Sequence, residues 1–285
     1  MSVAVVGLGA LLGALAGARE VEVSAYVLDR REPVVKALEA AAQRGARVRV
    51  RLEGKPYSDH DGAMAKQNRA LAAELRGCGA VVTLAGSGSE PVHMKAALVD
   101  GVAYLDDRNF PPSGRDTVVA TSDPDDVAVV RAALQGVPGS DAHLATEKAG
   151  ALRLEAQAIA QGRGDRVDVE SEGFGLSVIS KALRQRALGG AAVRLLVAQQ
   201  EFGQARTQER QAIARLVAAG GCVRVGRSNE KLCVAGDVGW VGSANATYAA
   251  PMLDWGMQTR AAPVLDALQA AFDRNWAAAV PAATS

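Results

Sequence analysis

The chain has 285 residues, of which 49% are hydrophobic, so it can bury a sizeable core in one large or two ordinary domains. Its formal net charge is +1, and this balance does not by itself indicate a nucleic-acid or an anionic-membrane partner. Aromatic residues make up only 4% of the chain, so surfaces on which bases could stack are predicted to be scarce.

An apolar run at residues 1–18 precedes the first predicted strand. A signal peptide is one interpretation, but no Lys or Arg comes before the apolar part, and the run is short for a membrane span. Because it leads straight into a strand, we expect a helix packed on its own sheet. The sequence predicts no transmembrane segment and leaves the oligomeric state open.

Strands and helices alternate through the first half. The predicted strands are 21–28, 47–52, 80–84 and 117–121, and the predicted helices are 33–44, 63–76 and 123–134. A Gly/Pro cluster at residues 135–140 predicts a linker between domains 1–136 and 141–285.

The second half follows the same plan. Its predicted strands are 167–170, 192–198, 223–225, 232–235, 240–242 and 256–259, and its predicted helices are 143–160, 175–186, 207–219 and 263–278. Such alternation indicates the α/β class.

The stretch 92–109 is the most informative one, because it predicts two strands joined by an Asp-Gly turn. Side chains alternate along a strand, so His93 and Lys95 point to the same face. Asn109 comes from the returning strand. These residues predict a patch for an anionic ligand, with a fixed positive charge, an amide donor and a histidine that acts as nucleophile or proton carrier.

A second copy of this pattern lies at residues 229–245. Lys231 and Asn245 follow Lys95 and Asn109 at one constant offset, since 231−95 and 245−109 both equal 136. An upstream segment also recurs, at a slightly larger offset. We infer that one ancestral unit was duplicated.

The two copies together resemble the signature of the phospholipase D superfamily. The first matches its HxKxxxxD…N pattern, and the Gly-Ser-Ala-Asn at residues 242–245 is similar to the GSxN that usually closes it. The likeness covers nearly the whole chain. It implies an α/β fold of two α-β-α sandwich repeats packed about a pseudo-twofold axis, with one motif from each half in a single site.

This resemblance implies a phosphodiesterase that needs no metal and no cofactor. In the family, one histidine attacks phosphorus to give a phosphohistidine, and the other protonates the leaving alcohol and later activates water. Carried over to this sequence, His93 is the nucleophile. Asp116 lies where the family usually has an acidic residue that orients an imidazole. The phosphate would be held by Lys95, Asn109, Lys231, Asn245 and Ser243.

Three departures from the family pattern affect these roles. Asn229 replaces the second histidine and cannot exchange a proton in the useful range, although it still lies where substrate would bind. Gly236 replaces the second motif's aspartate, and Asp237 comes one place late. Asp106 and Asp107 replace the first Gly-Ser and bring negative charge; because neighbours on a strand point to opposite faces, we expect at most one to intrude.

Other polar residues have simpler interpretations. His60, on a loop after a strand, is expected at the surface; a role as replacement general acid at the substrate site is the alternative, since such loops often carry function. His143 is expected at the surface at a helix start. The arginines of residues 47–51 predict a solvated strand face. Cys78, Cys222 and Cys233 lack metal-ligand spacing and are odd in number, which fits free thiols and a cytoplasmic location.

Two functional hypotheses remain open. The first is a phosphodiesterase that acts through His93 on a phospholipid or a nucleic acid. The second is a family member that keeps the anion pocket but turns nothing over. The intact His93 favours the first, and Asn229 favours the second.

Overall fold

The computed structural model describes residues 3–57, 59–86, 91–111, 117–198, 207–227 and 230–282. The chain divides into two compact units. Unit 1 comprises Met1–Glu147 and Pro251–Trp255, and unit 2 comprises Lys148–Ala250 and Gly256–Ser285.

Unit 1 contains a seven-stranded mixed sheet. Its strands are β1 (Ala4–Val6), β2 (Glu20–Ala25), β3 (Arg47–Glu53), β4 (Val81–Ala85), β5 (Lys95–Val99), β6 (Val102–Asp106) and β7 (Val118–Thr121), and a further strand is β8 (Leu144–Glu147). Its helices are α1 (Leu8–Gly17), α2 (Pro33–Gln43), α3 (Ala63–Gly77) and α4 (Pro124–Leu134). The sheet order is β1-β7-β6-β5-β2-β3-β4; the β2-β3-β4 part is parallel and the other pairs are antiparallel.

Within the apolar run, Leu8–Gly17 form α1, as the buried-helix interpretation predicted, whereas Ala4–Val6 form β1, which was not predicted. Leu8, Leu11 and Leu15 lie on one face at helical spacing and are buried in the core of unit 1. Among the described residues, no helix combines the length and the hydrophobicity that a bilayer crossing requires.

Unit 2 contains the second mixed sheet. Its strands are β9 (Arg166–Ser171), β10 (Ala192–Ala198), β11 (Cys222–Gly226), β12 (Leu232–Ala235), β13 (Val238–Gly242), β14 (Leu253–Thr259, from Gly256 onward in this unit) and β15 (Val280–Pro281). Its helices are α5 (Lys148–Gln161), α6 (Val178–Leu188), α7 (Thr207–Ala218) and α8 (Ala262–Ala278). The strands run in the order β15-β11-β10-β9-β12-β13-β14, with β9, β10 and β11 parallel.

The two sheets repeat one another strand by strand. In unit 1 the parallel trio is followed by the hairpin β5-β6 and by β7, and in unit 2 the same trio is followed by the hairpin β12-β13 and by β14. Ser24 pairs with Ala96, and Glu170 pairs with Leu232. The strands β5 and β12 therefore correspond at an offset of 136 (232−96), and the strands β2 and β9 correspond at an offset of 146 (170−24). The predicted α/β fold with two repeats is confirmed.

One predicted element is wrong in part. Residues 144–147 form β8 and not the start of a helix, which begins only at Lys148. The Asp141 carboxylate accepts the backbone N–H groups of His143 and Leu144 at 2.7 and 2.8 Å, which turns the chain into an extended segment. The partly exposed side chain of His143 therefore stands ahead of a strand, where its Nε2 lies 3.0 Å from a carboxylate oxygen of the buried Asp126.

The predicted solvated arginine face is confirmed on β3 at Arg47 and Arg49, whereas Arg51 is half-buried. Arg47 and Arg49 are exposed, and both lie within ion-pair distance of Glu20, at 3.1 and 3.6 Å. The three cysteines are free thiols.

Candidate active site

The backbone around His93 is fixed by pairing with the segment Pro251–Trp255, which belongs to the same unit. Val92 forms a parallel bridge with Leu253, and the N–H of His93 donates to the Leu253 carbonyl at 2.8 Å. His93 is 6% exposed. Its backbone is therefore fixed by pairing within unit 1, and its side chain is nearly buried.

Asp254 orients the His93 imidazole. Its Oδ1 lies 2.9 Å from His93 Nδ1, and the aspartate is fully buried. A carboxylate can only accept a hydrogen bond, so the Nδ1 position carries the proton and the lone pair of a neutral ring lies on Nε2. Such a tautomer suits a nitrogen nucleophile.

The sequence contained a signal for Asp254 that the offset of 136 did not reveal. Val118 pairs with Asp106 and Gly256 pairs with Gly242, so the last strands of the two repeats correspond at an offset of 138 (256−118). The same offset relates Asp116 to Asp254. Asp116 itself lies outside the described residues, and its role stays a prediction.

Lys95 is buried beside an aromatic ring. It is 2% exposed, and its Nζ lies 5.7 Å from the centroid of the Tyr26 ring. A cation over an aromatic face is stabilised without losing its charge. Lys95 and His93 both lie near the Tyr26 ring, so this ring is common to the surroundings of the two side chains.

Two tyrosines that sequence reasoning missed contact His93. The Tyr26 and His93 rings meet edge to face with centroids 5.1 Å apart, and the Tyr57 ring lies 5.9 Å from His93 and 5.4 Å from Tyr26. Such contacts stabilise packing of the rings. No spacing rule points to these residues, because they come from the ends of two other strands.

Buried polar side chains hold these strand ends in place. The carboxylate of Glu53 accepts the N–H of Val92 at 2.6 Å, immediately before the motif. The amide of Asn68, on α3, donates to the carbonyls of Tyr26 and Glu53 at 2.8 Å each. Helix α3 thus ties together the segments that surround His93.

Asn109 and Asn245 make the same contact in the two units. Asn109 Oδ1 accepts the N–H of Val27 at 3.4 Å, and Asn245 Oδ1 accepts the N–H of Gly173 at 3.2 Å. Because the amide oxygen accepts this hydrogen bond, the NH₂ group of each asparagine is the end that donates to other groups. Both asparagines thereby fasten the end of the neighbouring strand, β2 or β9, next to the motif.

Lys231 has a different neighbour from Lys95. Its Nζ forms an ion pair with Glu172 Oε2 at 3.0 Å, and the lysine is buried. By the offset of 146, Glu172 occupies the position that Tyr26 has in unit 1. The lysine of the second motif is therefore charge-compensated, whereas that of the first packs on an aromatic ring.

The remaining predicted residues of the second motif are partly described. Ser243 is fully buried in unit 2, at the end of β13. Asn229 lies outside the described residues. The expectation that the two motifs share one site concerns the arrangement of the units and stays a prediction.

Asp106 and Asp107 are both fully buried. Asp106 Oδ2 accepts the N–H of Phe110 at 2.5 Å. Burial, followed by repulsion from Asp107, raises the pKa of Asp106 to about 7. Near neutral pH, the Asp106 carboxyl group is thus partly protonated, so the negative charge at this position is smaller than the sequence predicts.

The aspartate at the hairpin turn of each unit anchors the backbone of a neighbouring segment. The Asp100 carboxylate accepts the N–H groups of Arg19 and Glu20, at 3.2 and 2.8 Å, and in unit 2 Asp237 accepts the N–H of Arg163 at 2.8 Å. At position 236 a Cβ atom would approach the Arg163 carbonyl to 1.8 Å, so only glycine is tolerated. The displaced aspartate therefore performs the same anchoring from the next position.

His60 is exposed on the loop before α3, as the simpler interpretation predicted. The aspartates on either side accept backbone N–H groups at the start of that helix, Asp59 from Met64 and Asp61 from Ala63, each at 3.0 Å. Within the described parts of the chain, His60 forms no hydrogen bond or ion pair. Its role as a substitute acid stays a prediction.

One group of possible metal ligands occurs among the described residues. Asp126, Asp141 and His143 place their ligand atoms within 4.8 Å of one another. The two ring nitrogens of His143 lie 3.0 and 3.6 Å from the carboxylates of Asp126 and Asp141. Polar contacts of His143 with the two aspartates explain this arrangement without a metal ion.

Comparison with known proteins identifies the fold. No protein-family model and no curated protein sequence matches the chain. The structure of phosphatidylserine synthase from Haemophilus influenzae Rd KW20 is similar over 98% of this chain and 87% of its own, with a TM-score of 0.69 and 9% identity.

Polyphosphate kinase from Porphyromonas gingivalis is also similar, with a TM-score of 0.62 and 19% identity over 93% of this chain. The match covers 48% of the kinase chain, so the present chain spans about half of that protein. The predicted phospholipase D-like fold is confirmed.

Proposed function

We propose that this chain is a metal-independent phosphoryl-transfer enzyme of phospholipase D type, which cleaves a phosphodiester through a phosphohistidine on His93. The single observation that carries the proposal is the buried pair of His93 and Asp254, whose Nδ1 and Oδ1 atoms lie 2.9 Å apart. A carboxylate that fixes the tautomer of a histidine beside a buried lysine is the arrangement that nucleophilic attack on an anionic phosphorus centre requires.

The first step forms the bond from His93 Nε2 to phosphorus and breaks the bond from phosphorus to the leaving oxygen. The leaving oxygen keeps the bonding electron pair. The imidazole becomes cationic as it attacks, and Asp254 compensates that charge through Nδ1. The Lys95 ammonium group attracts the phosphoryl oxygens, whose negative charge must be held close to the attacking nitrogen.

The second step returns the free enzyme. Water attacks phosphorus, the bond from phosphorus to Nε2 breaks, and the electron pair returns to the ring. By the family resemblance, a second histidine would protonate the leaving group and then deprotonate this water. Asn229 stands at that position, so solvent or another side chain, for which His60 is the candidate from the sequence, must exchange these protons.

The proposed ligands for the phosphoryl group follow the repeat. Asn109 would contribute in unit 1, and Lys231, Asn245 and Ser243 would contribute from the second motif, with Asp116 as the acid that corresponds to Asp254. The substrate would be a phospholipid or nucleic-acid phosphodiester. Transfer of the phosphoryl group to an alcohol, in place of water, is the same chemistry with another acceptor.

A second candidate function is binding of a phosphate-containing ligand without turnover. It is favoured by the ion pair of Lys231 with Glu172, at 3.0 Å, because a compensated lysine contributes less to holding a phosphoryl group. It is also favoured by Asn229. Both observations concern the second motif, whereas the first keeps its histidine and its lysine, and we therefore prefer the enzymatic function.

Steady-state hydrolysis of an aryl phosphodiester tests the proposal. A nitrophenolate leaves without protonation, so the absence of the second histidine should matter little for the first step. We expect turnover by the wild type and none above background by His93→Asn, with Asp237→Asn, at the hairpin turn of unit 2, close to the wild type. If His93→Asn is as active as the wild type, the proposed nucleophile is wrong.

A further inference from the structure

Tyr57 stands out because it is exposed next to the proposed nucleophile. Its side chain is 61% exposed, whereas Tyr26 and His93, which its ring contacts, are nearly buried. A single exposed apolar side chain needs no explanation. The exposed Tyr57 ring does require an explanation, because it packs directly on the His93 imidazole, whose Nδ1 contacts Asp254.

The three rings form a mutually contacting group, with all centroid distances between 5.1 and 5.9 Å. Tyr26 and His93 are nearly buried, and the Tyr57 ring is the part of the group that is exposed to solvent. The chain has only 4 tyrosines, and 2 of them are in this group. Contacts with Tyr26 and His93 restrain the Tyr57 ring, so binding of a ligand to this ring costs little further conformational entropy.

The surroundings of Tyr57 are polar. It lies on a loop with the exposed residues Lys55, His60 and Asp61. The other large exposed apolar residues described in unit 1 are Val81, which pairs with Arg49 toward the opposite end of the parallel strands, and Val137, which follows α4. Acyl chains require a continuous apolar surface, which this loop does not provide.

A flat ring attached to a phosphodiester suits this geometry better. Nucleobases stack on aromatic side chains in single-stranded nucleic-acid sites, and the contact tolerates any base because every base has a π-face. With the phosphorus at His93 and Lys95, a ring on Tyr57 would belong to the reacting nucleotide or to its neighbour. Lys55, two residues before Tyr57, adds a positive charge for the adjoining backbone.

We propose that Tyr57 is the stacking surface for a base of a single-stranded nucleic-acid substrate whose phosphodiester reacts at His93. This inference rests on the proposed function and selects nucleic acid from the two substrate classes. Tyr57 is then a residue that determines specificity and not one that carries out the reaction. The Tyr26 ring packs against Tyr57 and supports its position.

Binding of two short single-stranded oligonucleotides tests the inference. One is a thymidine tetranucleotide, and the other has the same backbone and end label but abasic sites. Fluorescence anisotropy gives both affinities for the full chain, and electrophoresis after each titration establishes that the oligonucleotides are intact. We expect the wild type to prefer the thymidine form by about 5- to 150-fold, the effect of one stacked base.

Three variants separate stacking from general effects. Tyr57→Ala should bind both oligonucleotides equally, with an affinity for the abasic form that matches the wild type. Tyr57→Phe, which keeps the ring, should retain the preference. Tyr248→Ala removes a 75% exposed tyrosine of unit 2 and should also retain it.

Two results would overturn the inference. The first is an equal preference for the thymidine form in the wild type and in Tyr57→Ala. The second is the absence of any preference in the wild type; binding to phosphatidylserine vesicles that Tyr57→Ala weakens would then assign Tyr57 to a lipid substrate. Neither readout needs turnover, so a failure of the catalytic proposal, seen as the absence of an adduct on His93, is distinguishable from a failure of this one.

Discussion

The ammonium group of Lys231 lies 3.0 Å from the carboxylate of Glu172, whereas the corresponding Lys95 lies over the ring of Tyr26. The duplicated lysines are thus alike in sequence position and in burial, but the side chain at the equivalent neighbouring position is a carboxylate in unit 2 and a tyrosine in unit 1. The two motifs have therefore diverged at the position that Tyr26 and Glu172 share.

Replacement of Glu172 tests this divergence. Glu172→Gln leaves Lys231 buried without its carboxylate, so we expect the free energy of unfolding to fall by about 1–3 kcal/mol. Phosphate should restore part of the loss, because the released ammonium group can pair with an oxyanion. Chemical denaturation with and without phosphate measures both effects. Equal stability of variant and wild type, with no effect of phosphate on their difference, would contradict the divergence of the two lysines.

Asp254 should control the rate through the tautomer of His93. Asp254→Asn keeps the shape but can donate to Nδ1, which places the proton on Nε2 and removes the nucleophilic lone pair. We expect the rate of aryl phosphodiester cleavage to fall by about 10²–10⁴-fold, as when a triad aspartate is changed to its amide. Asp237→Asn, at a surface turn, is the matched control and should leave the rate unchanged. A fully active Asp254→Asn would remove the positioning role.

The sequence revealed the fold and half of this site because both depend on local patterns. The constant spacing of Lys95 and Lys231 identified the duplication, and strand alternation placed His93 and Lys95 on one face. Asp254 was missed because strand pairing, and not spacing within a motif, brings residues 251–255 next to His93. The helix predicted from residue 143 was partly wrong because an Asp141 turn overrides local helix propensity.

Tyr26, Tyr57 and Glu172 were missed for a similar reason. Each follows the end of a strand other than the one that carries the motif, and no pattern within a single strand reports which ends become neighbours. Once β2 and β9 are aligned by their pairing with the motif strands, Tyr26 and Glu172 become equivalent. The chemical difference between the repeats is then visible in the sequence, but only with the register known.

The buried carboxyl group of Asp106 should make stability depend on pH. Its folded pKa, about 7, is above the ordinary value of 3.8, so the protonated form is favoured by folding. Its contribution to stability is fully present below about pH 4 and is lost as the pH rises through 7. Asp106→Asn cannot ionise, and its free energy of unfolding relative to the wild type should rise by a few kcal/mol, on the order of 2–4, between pH 5 and pH 8.

Denaturant unfolding across that range measures the Asp106 effect. Asp237→Asn provides a control, because backbone hydrogen bonding lowers the pKa of Asp237 and its titration lies below the range examined. A constant difference between Asp106→Asn and the wild type from pH 5 to pH 8 would show that Asp106 is ionised throughout.

The leaving group should decide how much Asn229 limits catalysis. An alkoxide leaves poorly without a proton, whereas a nitrophenolate leaves unaided. Asn229→His should therefore accelerate the turnover of alkyl phosphodiesters far more than the cleavage of aryl ones, by up to about 10²–10⁴-fold if the acid is well placed. Initial rates with matched alkyl and aryl esters measure the ratio. Equal effects on both classes would show that protonation of the leaving group at position 229 does not limit the reaction.

The covalent intermediate provides the most direct test of the role of His93. Water activation also lacks the second histidine, so the phosphoenzyme should accumulate after mixing with an aryl phosphodiester. Mass spectrometry of the quenched full chain, followed by peptide mapping, should locate one phosphoryl adduct on His93 in the wild type and none in His93→Asn. Release of nitrophenolate without any adduct on His93, or an adduct on another residue that persists in His93→Asn, would contradict catalysis through a phosphohistidine at this position.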